Sequence, residues 1–198
     1  MYKFFARLSR MKYITRWGLM KNTLKENIAE HSLETAMITH ALVMIGNQYF
    51  GKQLDEERAA VLAMYHDTTE IITGDMPTPV KYFAPEIRDA YKKVELVAAN
   101  KLLGGLPEEM KEEYQSILGV EKKEKDEELW RYVKAADKLS AYIKCIEELS
   151  MGNQDFRKAE KTIYESLMDM HMEEVDYYIK EFLPAYKLTL DEQSKQTN

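Results

Sequence analysis

The stretch DEERAAVLAMYHDTTEIITGDMPTP, residues 55–79, decides how the chain is read. Asp55 has the side chain of a helix N-cap, and Glu56 and Glu57 follow in the first turn, where the helix dipole favours anions. Ala59 to Tyr65 form the apolar body of that helix, and His66-Asp67 fall near its end. Gly74 to Pro79 cannot be helical throughout, because each proline removes a backbone donor and pushes its predecessor toward extended geometry. A His-Asp pair therefore closes a helix just before a Pro-rich loop, a natural place for a substrate opening. Adjacent side chains inside a helix diverge by about 100°, but at a helix end, with a loop taking over, both can turn toward one ion.

The rest of the chain punctuates in the same helical way. Phe4, Phe5, Leu8, Met11 and Ile14 recur at three- and four-residue spacing and predict a short amphipathic helix, followed by a less regular segment over 16–28. Leu33, Met37, His40, Ala41, Met44 and Ile45 fall on one stripe and predict the clearest helix, weakened at Gly46-Asn47, with His31 at its start and His40 as a packed core histidine. Pro85 suits the first turn of a long helix ending at Gly104-Gly105, and Pro107 opens a shorter one. Residues 122–128 read as a solvated, charged connection. Leu129, Val133, Ala136, Ser140, Ile143 and Ile146 mark a helix over about 126–151, stopped by Gly152, and a last helix over 156–182 is closed by Pro184. With no internal repeat, low-complexity tract or linker, the expectation is one all-α domain, a helical bundle over residues 1–198.

Composition narrows the function. The formal net charge of −6 is wrong for gripping a nucleic-acid backbone, although a local cation or metal can still hold a small anion. Cys145 is the only cysteine, which excludes an intramolecular disulfide and a thiolate metal cage and leaves it a small buried apolar group. No apolar run approaches the ~18–20 residues of a membrane span. Residues 1–23 are basic and lack acids, but Arg7, Arg10, Lys12 and Arg16 interrupt any apolar stretch, so the segment reads as the first helix of the domain, in a cytoplasmic protein, and not as a presequence.

Asp137 sits in an apolar helical setting, where an inward carboxylate is costly unless it pairs or binds a cation. With His31, His66 and Asp67 it makes a mixed nitrogen and oxygen set that suits Mn, Fe, Co, Ni or Zn better than Ca. Taken singly, His31 could be a capping or surface residue, Asp137 a surface or salt-bridged one, and His66-Asp67 a structural dipeptide.

The spacing of a helix-start His, a His-Asp pair and a later Asp resembles the H…HD…D pattern of the HD-domain superfamily. Arg16-Trp17, ENIAEHS at 26–32, AMYHD at 63–67, Glu70, TGDMPTPVKYF at 73–83 and KAAD at 134–137 further resemble the YfbR-type 5′-deoxynucleotidases, a likeness running nearly the whole chain to LTLDE at 188–192. The resemblance implies an HD-type fold and removal of the 5′-phosphate from deoxyribonucleoside monophosphates, with one divalent transition metal such as Co or Mn. His31, His66, Asp67 and Asp137 would be its ligands, with His31 and Asp67 also among the substrate-binding residues. It further implies that Glu70 orients or deprotonates the attacking water, that Arg16 holds the phosphate, and that Trp17 closes against the sugar and leaves no room for a 2′-hydroxyl. Asp75 would serve the sugar hydroxyl or the leaving oxygen, and Met76, Pro77 and Thr78 would line the substrate side of the loop. Lys81 reads as solvated, and the methionines near Met37 and Met168–Met172 as core filler or a subunit contact. The resemblance also implies a homodimer. Rival readings are another HD phosphohydrolase, acting on a cyclic nucleotide or an alarmone, and a nucleotide-sensing module without turnover.

Overall fold

Asn27 caps one of the two long core helices. Its side chain accepts from Ala29 and Glu30 N–H while Glu30 returns to the Asn27 backbone, a reciprocal capping box that starts helix α2 one turn before His31. The computed structural model describes residues 1–81, 83–121 and 123–195. In chain order the helices are α1 (Phe4–Leu8), α2 (Ile28–Tyr49), α3 (Glu56–Tyr65), α4 (Glu70–Thr73), α5 (Thr78–Lys81), α6 (Pro85–Leu103), α7 (Glu108–Ile117), α8 (Glu127–Ser150), α9 (Arg157–Met168), α10 (Glu173–Glu181) and α11 (Leu190–Gln193), with 3-10 turns between some of them. Among the described residues the only extended pairing is an isolated bridge between Thr15 and Asn27, so the fold is all-α as expected.

Helices α2, α3 and α8 pack on one another, and α9 and α10 close the far side of α8 and α2. Leu42, Val43, Leu62, Leu139, Ile143 and Leu167 fill the shared core and are almost wholly buried. A smaller cluster of Phe4, Leu102, Leu103 and Leu106 seats α1 on α6. Cys145 is buried as expected, and burial pushes its thiol up to about 12, so it stays protonated. No helix among the described residues is long and apolar enough to cross a membrane.

The structure corrects the sequence in several places. Leu33, Met37 and His40 are exposed, and the buried face of α2 instead carries His31, Ser32, Thr35, Ala36, Ile38, Thr39, Leu42 and Val43. His40 is therefore not a core histidine and Met37 is not core filler. The helix is apolar on most sides, so periodicity could not choose the face. Small side chains let α3 and α8 approach, and the Thr39 hydroxyl satisfies itself on Thr35 O at 2.7 Å. Gly46 does not weaken α2, which runs on to Tyr49. A Cβ at Gly46 would lie 3.1 Å from Glu174 Oε1 and 3.2 Å from Tyr132 Oη, so glycine admits the buried hydrogen bond that Tyr132 donates to Glu174.

The single last helix expected over 156–182 is two helices. His171 adopts φ +47°, and the buried Met172 caps α10 in extended geometry. Arg131 Nη2 donates to Met170 O at 2.8 Å and His171 O at 3.3 Å, satisfying carbonyls freed by the break. The charged connection before α8 is not simply solvated: Asp126 is fully buried and receives Arg58 Nε at 3.2 Å and Nη2 at 2.6 Å. Lys122, in the same stretch, and Tyr82, in the quoted loop motif, lie outside the described residues. Lys81 is held by Glu95 at 3.0 Å and lies over the Tyr91 ring, so it is not a free solvated lysine.

Candidate metal centre and phosphate site

Three helices remote in sequence deliver the four expected ligands to one place. His31 comes from the first turns of α2, His66 and Asp67 from the end of α3, and Asp137 from the middle of α8. His66 is the C-cap of α3, still with helical φ −59° and ψ −37°, and the turn over 66–69 that follows it places Asp67 beside it. His66 Nε2 lies 3.2 Å from Asp67 Oδ2, and His31 Nε2 lies 3.5 Å from the same oxygen. Asp137 Oδ1 is 3.1 Å from His31 Nε2 and 3.9 Å from His66 Nε2. One ligand atom each from His31, His66 and Asp67 all fall within 4.8 Å of one another.

The other ring nitrogens show why the Nε2 atoms point inward. His66 Nδ1 donates to Ala63 O at 2.7 Å, a carbonyl that also accepts the His66 backbone N–H at 3.3 Å. His31 Nδ1 lies 3.0 Å from Ser140 Oγ, and Ser140 in turn donates to Glu34 Oε2 at 2.5 Å. With its proton committed to Glu34, Ser140 can only accept from His31, which fixes the Nδ1–H tautomer. Both Nε2 atoms are buried and make no hydrogen bond. Two oriented imidazoles with bare inward nitrogens, facing two carboxylates, are a donor set that a divalent transition ion fits.

The electrostatics point the same way. Burial works against a charged His66, but the Asp67 and Asp137 carboxylates outweigh it and hold the imidazole up to about 9. Burial likewise opposes the Asp67 carboxylate, yet His66, His31 and Arg16 hold it well below the usual range. Glu70, one helical turn beyond Asp67, is pushed up to about 10 by burial and by the Asp67 and Asp75 carboxylates. Its Oε2 is buried without a partner. The cluster thus holds more carboxylates than cations and takes up protons on His66 and Glu70 without an ion, protons that a divalent cation at the same place would displace.

Arg16 and Trp17 lie beside the ligands. The Arg16 fork is largely buried, with Nη1 3.0 Å from both Glu26 oxygens and Nη2 4.0 Å from Asp137 Oδ1. Trp17 has φ +60°, donates its backbone N–H to Asp75 Oδ2 at 3.1 Å and packs its ring 5.3 Å from Phe156. Asp75 is thereby joined to the site, and its carboxyl is raised by burial despite Arg16 and the Trp17 N–H. Met76 and Pro77 are half-buried, whereas Thr78 is exposed at the start of α5. Asp137 is half-exposed at the cluster's open side, its carboxylate held down by the His31 contact.

Sequence reasoning missed the residues behind the ligands. Ser140 carried a visible signal, since it lies one turn after Asp137 on the same face of α8. Glu34, one turn after His31, carried the same one. Tyr91 of α6, whose hydroxyl lies 3.1 Å from Thr73 Oγ1 and 3.3 Å from Gly74 O, braces the Pro-rich loop and gave no signal in the sequence.

Solved structures share this fold. An HD-domain phosphohydrolase from Listeria innocua superposes with a TM-score of 0.80 over 98% of this chain and 92% of its own, at 22% identity. A cyanophage S-2L HD phosphohydrolase, bound to dA and one catalytic Zn²⁺, superposes with a TM-score of 0.65 over 90% of this chain and 95% of its own, at 19% identity. A 5′-deoxynucleotidase of Vibrio cholerae is 49% identical over 189 residues, covering 96% of each chain. Residues 3–186 match the family model of the YfbR-like 5′-deoxynucleotidases, and the chain belongs to that family.

Proposed function

We propose that the protein hydrolyses deoxyribonucleoside 5′-monophosphates to deoxynucleoside and phosphate, with one divalent transition ion held by His31, His66, Asp67 and Asp137. The observation that carries this is the pair of buried, tautomer-fixed imidazoles with bare Nε2 atoms facing Asp67 and Asp137, in a chain of the 5′-deoxynucleotidase family. Co²⁺ and Mn²⁺ are the ions proposed, and the zinc of the cyanophage neighbour is a third candidate of the same chemistry.

When bound, the ion supplies positive charge against the phosphate and lowers the pKa of water. With the charge of a bound ion offsetting the Asp67 and Asp75 carboxylates that keep Glu70 protonated, Glu70 would be ionised and would take a proton from the attacking water as the water oxygen forms the new bond to phosphorus and the bond from phosphorus to O5′ breaks. Its partnerless Oε2 leaves an acceptor free for that proton. Arg16 presents Nη2 toward the cluster and neutralises charge gathering on the phosphate oxygens. Asp75, tied to the Trp17 backbone N–H at 3.1 Å, would serve the sugar hydroxyl or the departing O5′. Trp17 stands against the sugar and excludes a 2′-hydroxyl, and the backbone of Met76, Pro77 and Thr78 lines the far side of the sugar. The active form is a cytoplasmic homodimer of single-domain chains spanning residues 1–198.

Phosphate release from dAMP and AMP, by metal-stripped protein with and without added Co²⁺ or Mn²⁺, tests the proposal. Metal-dependent release that strongly favours dAMP is expected. Equal release from both discards the sugar selectivity, and no release with any metal discards the activity, leaving another phosphate ester or a non-catalytic module.

A further inference from the structure

Glu26 lies outside the ligand set, yet its carboxylate touches three parts of the site at once. Its side chain is only 12% exposed. Both oxygens stand 3.0 Å from Arg16 Nη1, Oε2 also accepts the Trp17 indole N–H at 3.0 Å, and Oε1 is 3.7 Å from His31 Nδ1. The backbone registers these contacts: Arg16 N donates to Glu26 O at 3.0 Å beside the Thr15–Asn27 bridge, so the two segments face each other across the loop.

We infer that Glu26 is a positioning residue that couples the phosphate grip to sugar discrimination, because one carboxylate sets both the Arg16 fork and the Trp17 indole. The inference rests on the roles given above to Arg16 and Trp17. Glu26 occupies Nη1 and leaves Nη2 directed to Asp137 and the ligand cluster, which aims the fork. The indole has a single donor, so the hydrogen bond to Glu26 fixes its rotation while the tilted Phe156 ring packs against it. A carboxylate has acceptor sites for both partners at once. A glutamine with its oxygen at the Oε2 position can still face both donors, but it loses the negative charge and sets an NH₂ group against Arg16 Nη1 where Oε1 now lies 3.0 Å away, which pushes the fork off and strains the shared oxygen's contact to the indole. A displacement of either partner therefore reaches the other through a shared atom.

The test measures kcat and KM for dAMP and AMP with full-length, metal-loaded wild type, Glu26→Gln, Glu26→Asp, Trp17→Phe and the Glu26→Gln/Trp17→Phe double variant. Glu26→Gln is expected to raise KM for dAMP and to shrink the dAMP:AMP preference, each on the order of ten-fold, the scale of losing a hydrogen bond to a charged group. Glu26→Asp keeps the charge but shortens the reach, so it restores KM more fully than the preference. Trp17→Phe keeps a ring and removes only the N–H donor. It is expected to cut the preference as far as Glu26→Gln does, and the double variant to lose little more than either single one. A role confined to stability lowers the melting temperature and slows both substrates alike, leaving their ratio intact. An unchanged ratio in Glu26→Gln, or additive losses in the double variant, overturns the inference while leaving the activity standing. If Glu26→Gln does not fold, an unchanged ratio in both Glu26→Asp and Trp17→Phe overturns it equally. A wild type without preference for dAMP removes the sugar role of Trp17 and the coupling with it.

Discussion

Replacing Ser140 with alanine removes one oxygen from the buried face of α8 and tests whether the inward nitrogen of His31 is set from behind. In the wild type, Ser140 accepts from His31 Nδ1 at 3.0 Å and donates to Glu34 at 2.5 Å. The variant leaves a buried imidazole N–H and a half-buried carboxylate without their shared partner, while opening almost no cavity. Partners that orient a ligating histidine typically contribute 10- to 100-fold in metal affinity, about 1.4–2.7 kcal/mol. The structure holds a reserve: Thr35 Oγ1 lies 3.5 Å from the same Nδ1, too far for a good bond but able to rotate closer. Ser140→Ala alone should therefore fall near the ten-fold end, and Ser140→Ala/Thr35→Val near the hundred-fold end. Competition for Co²⁺ against a chromophoric chelator, on folded full-length protein, reads the affinity directly. Wild-type affinity in the double variant would refute the argument, since it would mean the tautomer and ring direction are set without either hydroxyl.

Two further outcomes follow from buried carboxylates. Glu70→Gln should lower kcat by about 10²- to 10⁴-fold, the range for a positioned proton acceptor, with Co²⁺ affinity little changed; steady-state kinetics beside the chelator titration would expose a bystander if turnover stayed near normal. Glu148 is fully buried and accepts from Thr23 N at 2.9 Å, Leu24 N at 3.0 Å, Lys144 Nζ at 2.6 Å and Asn153 Nδ2 at 2.6 Å, tying the loop that carries Arg16 and Trp17 to α8. Burial opposes its charge, but these four donors hold it down to about 2 from an ordinary 4.5. A depressed folded pKa means the stabilisation is complete above about 4.5 and disappears as pH falls toward 2. Glu148→Ala, which strands Lys144, should cost about 3–5 kcal/mol in urea titrations at pH 7, and the gap to wild type should close in acid; a gap of equal size at pH 3 would count against the assignment.

Helix starts and stops were legible because they are written in single residues. Asp55, Pro85, Pro107 and Gly152 mark boundaries that the structure keeps within a residue or so. The inward carboxylate at Asp137 was legible as an anomaly against its apolar neighbours. What could not be read was orientation. Leu33 and Met37 outrank Thr35 and Thr39 in hydrophobicity, yet the threonines lie inside, because a hydroxyl that bonds its own helix is cheap to bury and a slim side chain brings α3 and α8 close. The break before α10 escaped because Asp169 to Met172 contains neither Gly nor Pro, and the carbonyls it frees are met by Arg131, some forty positions away in the chain. Glu34 and Ser140 escaped for a related reason: their role is a chain of contacts between two helices, and spacing within one helix shows only half of it.

Trp17 is bound by this arrangement into a conflict between folding and selection. A bulky L-residue with φ +60° carries a backbone cost of about 1–2 kcal/mol that glycine would not bear. Asp75, Glu26 and Phe156 hold it there. Drift toward glycine at position 17 would relieve the backbone while emptying the space beside Phe156. A library screened only for heat resistance would thus be blind to what the indole does, and one screened for choice between sugars would be expected to restore tryptophan against the local preference of the chain.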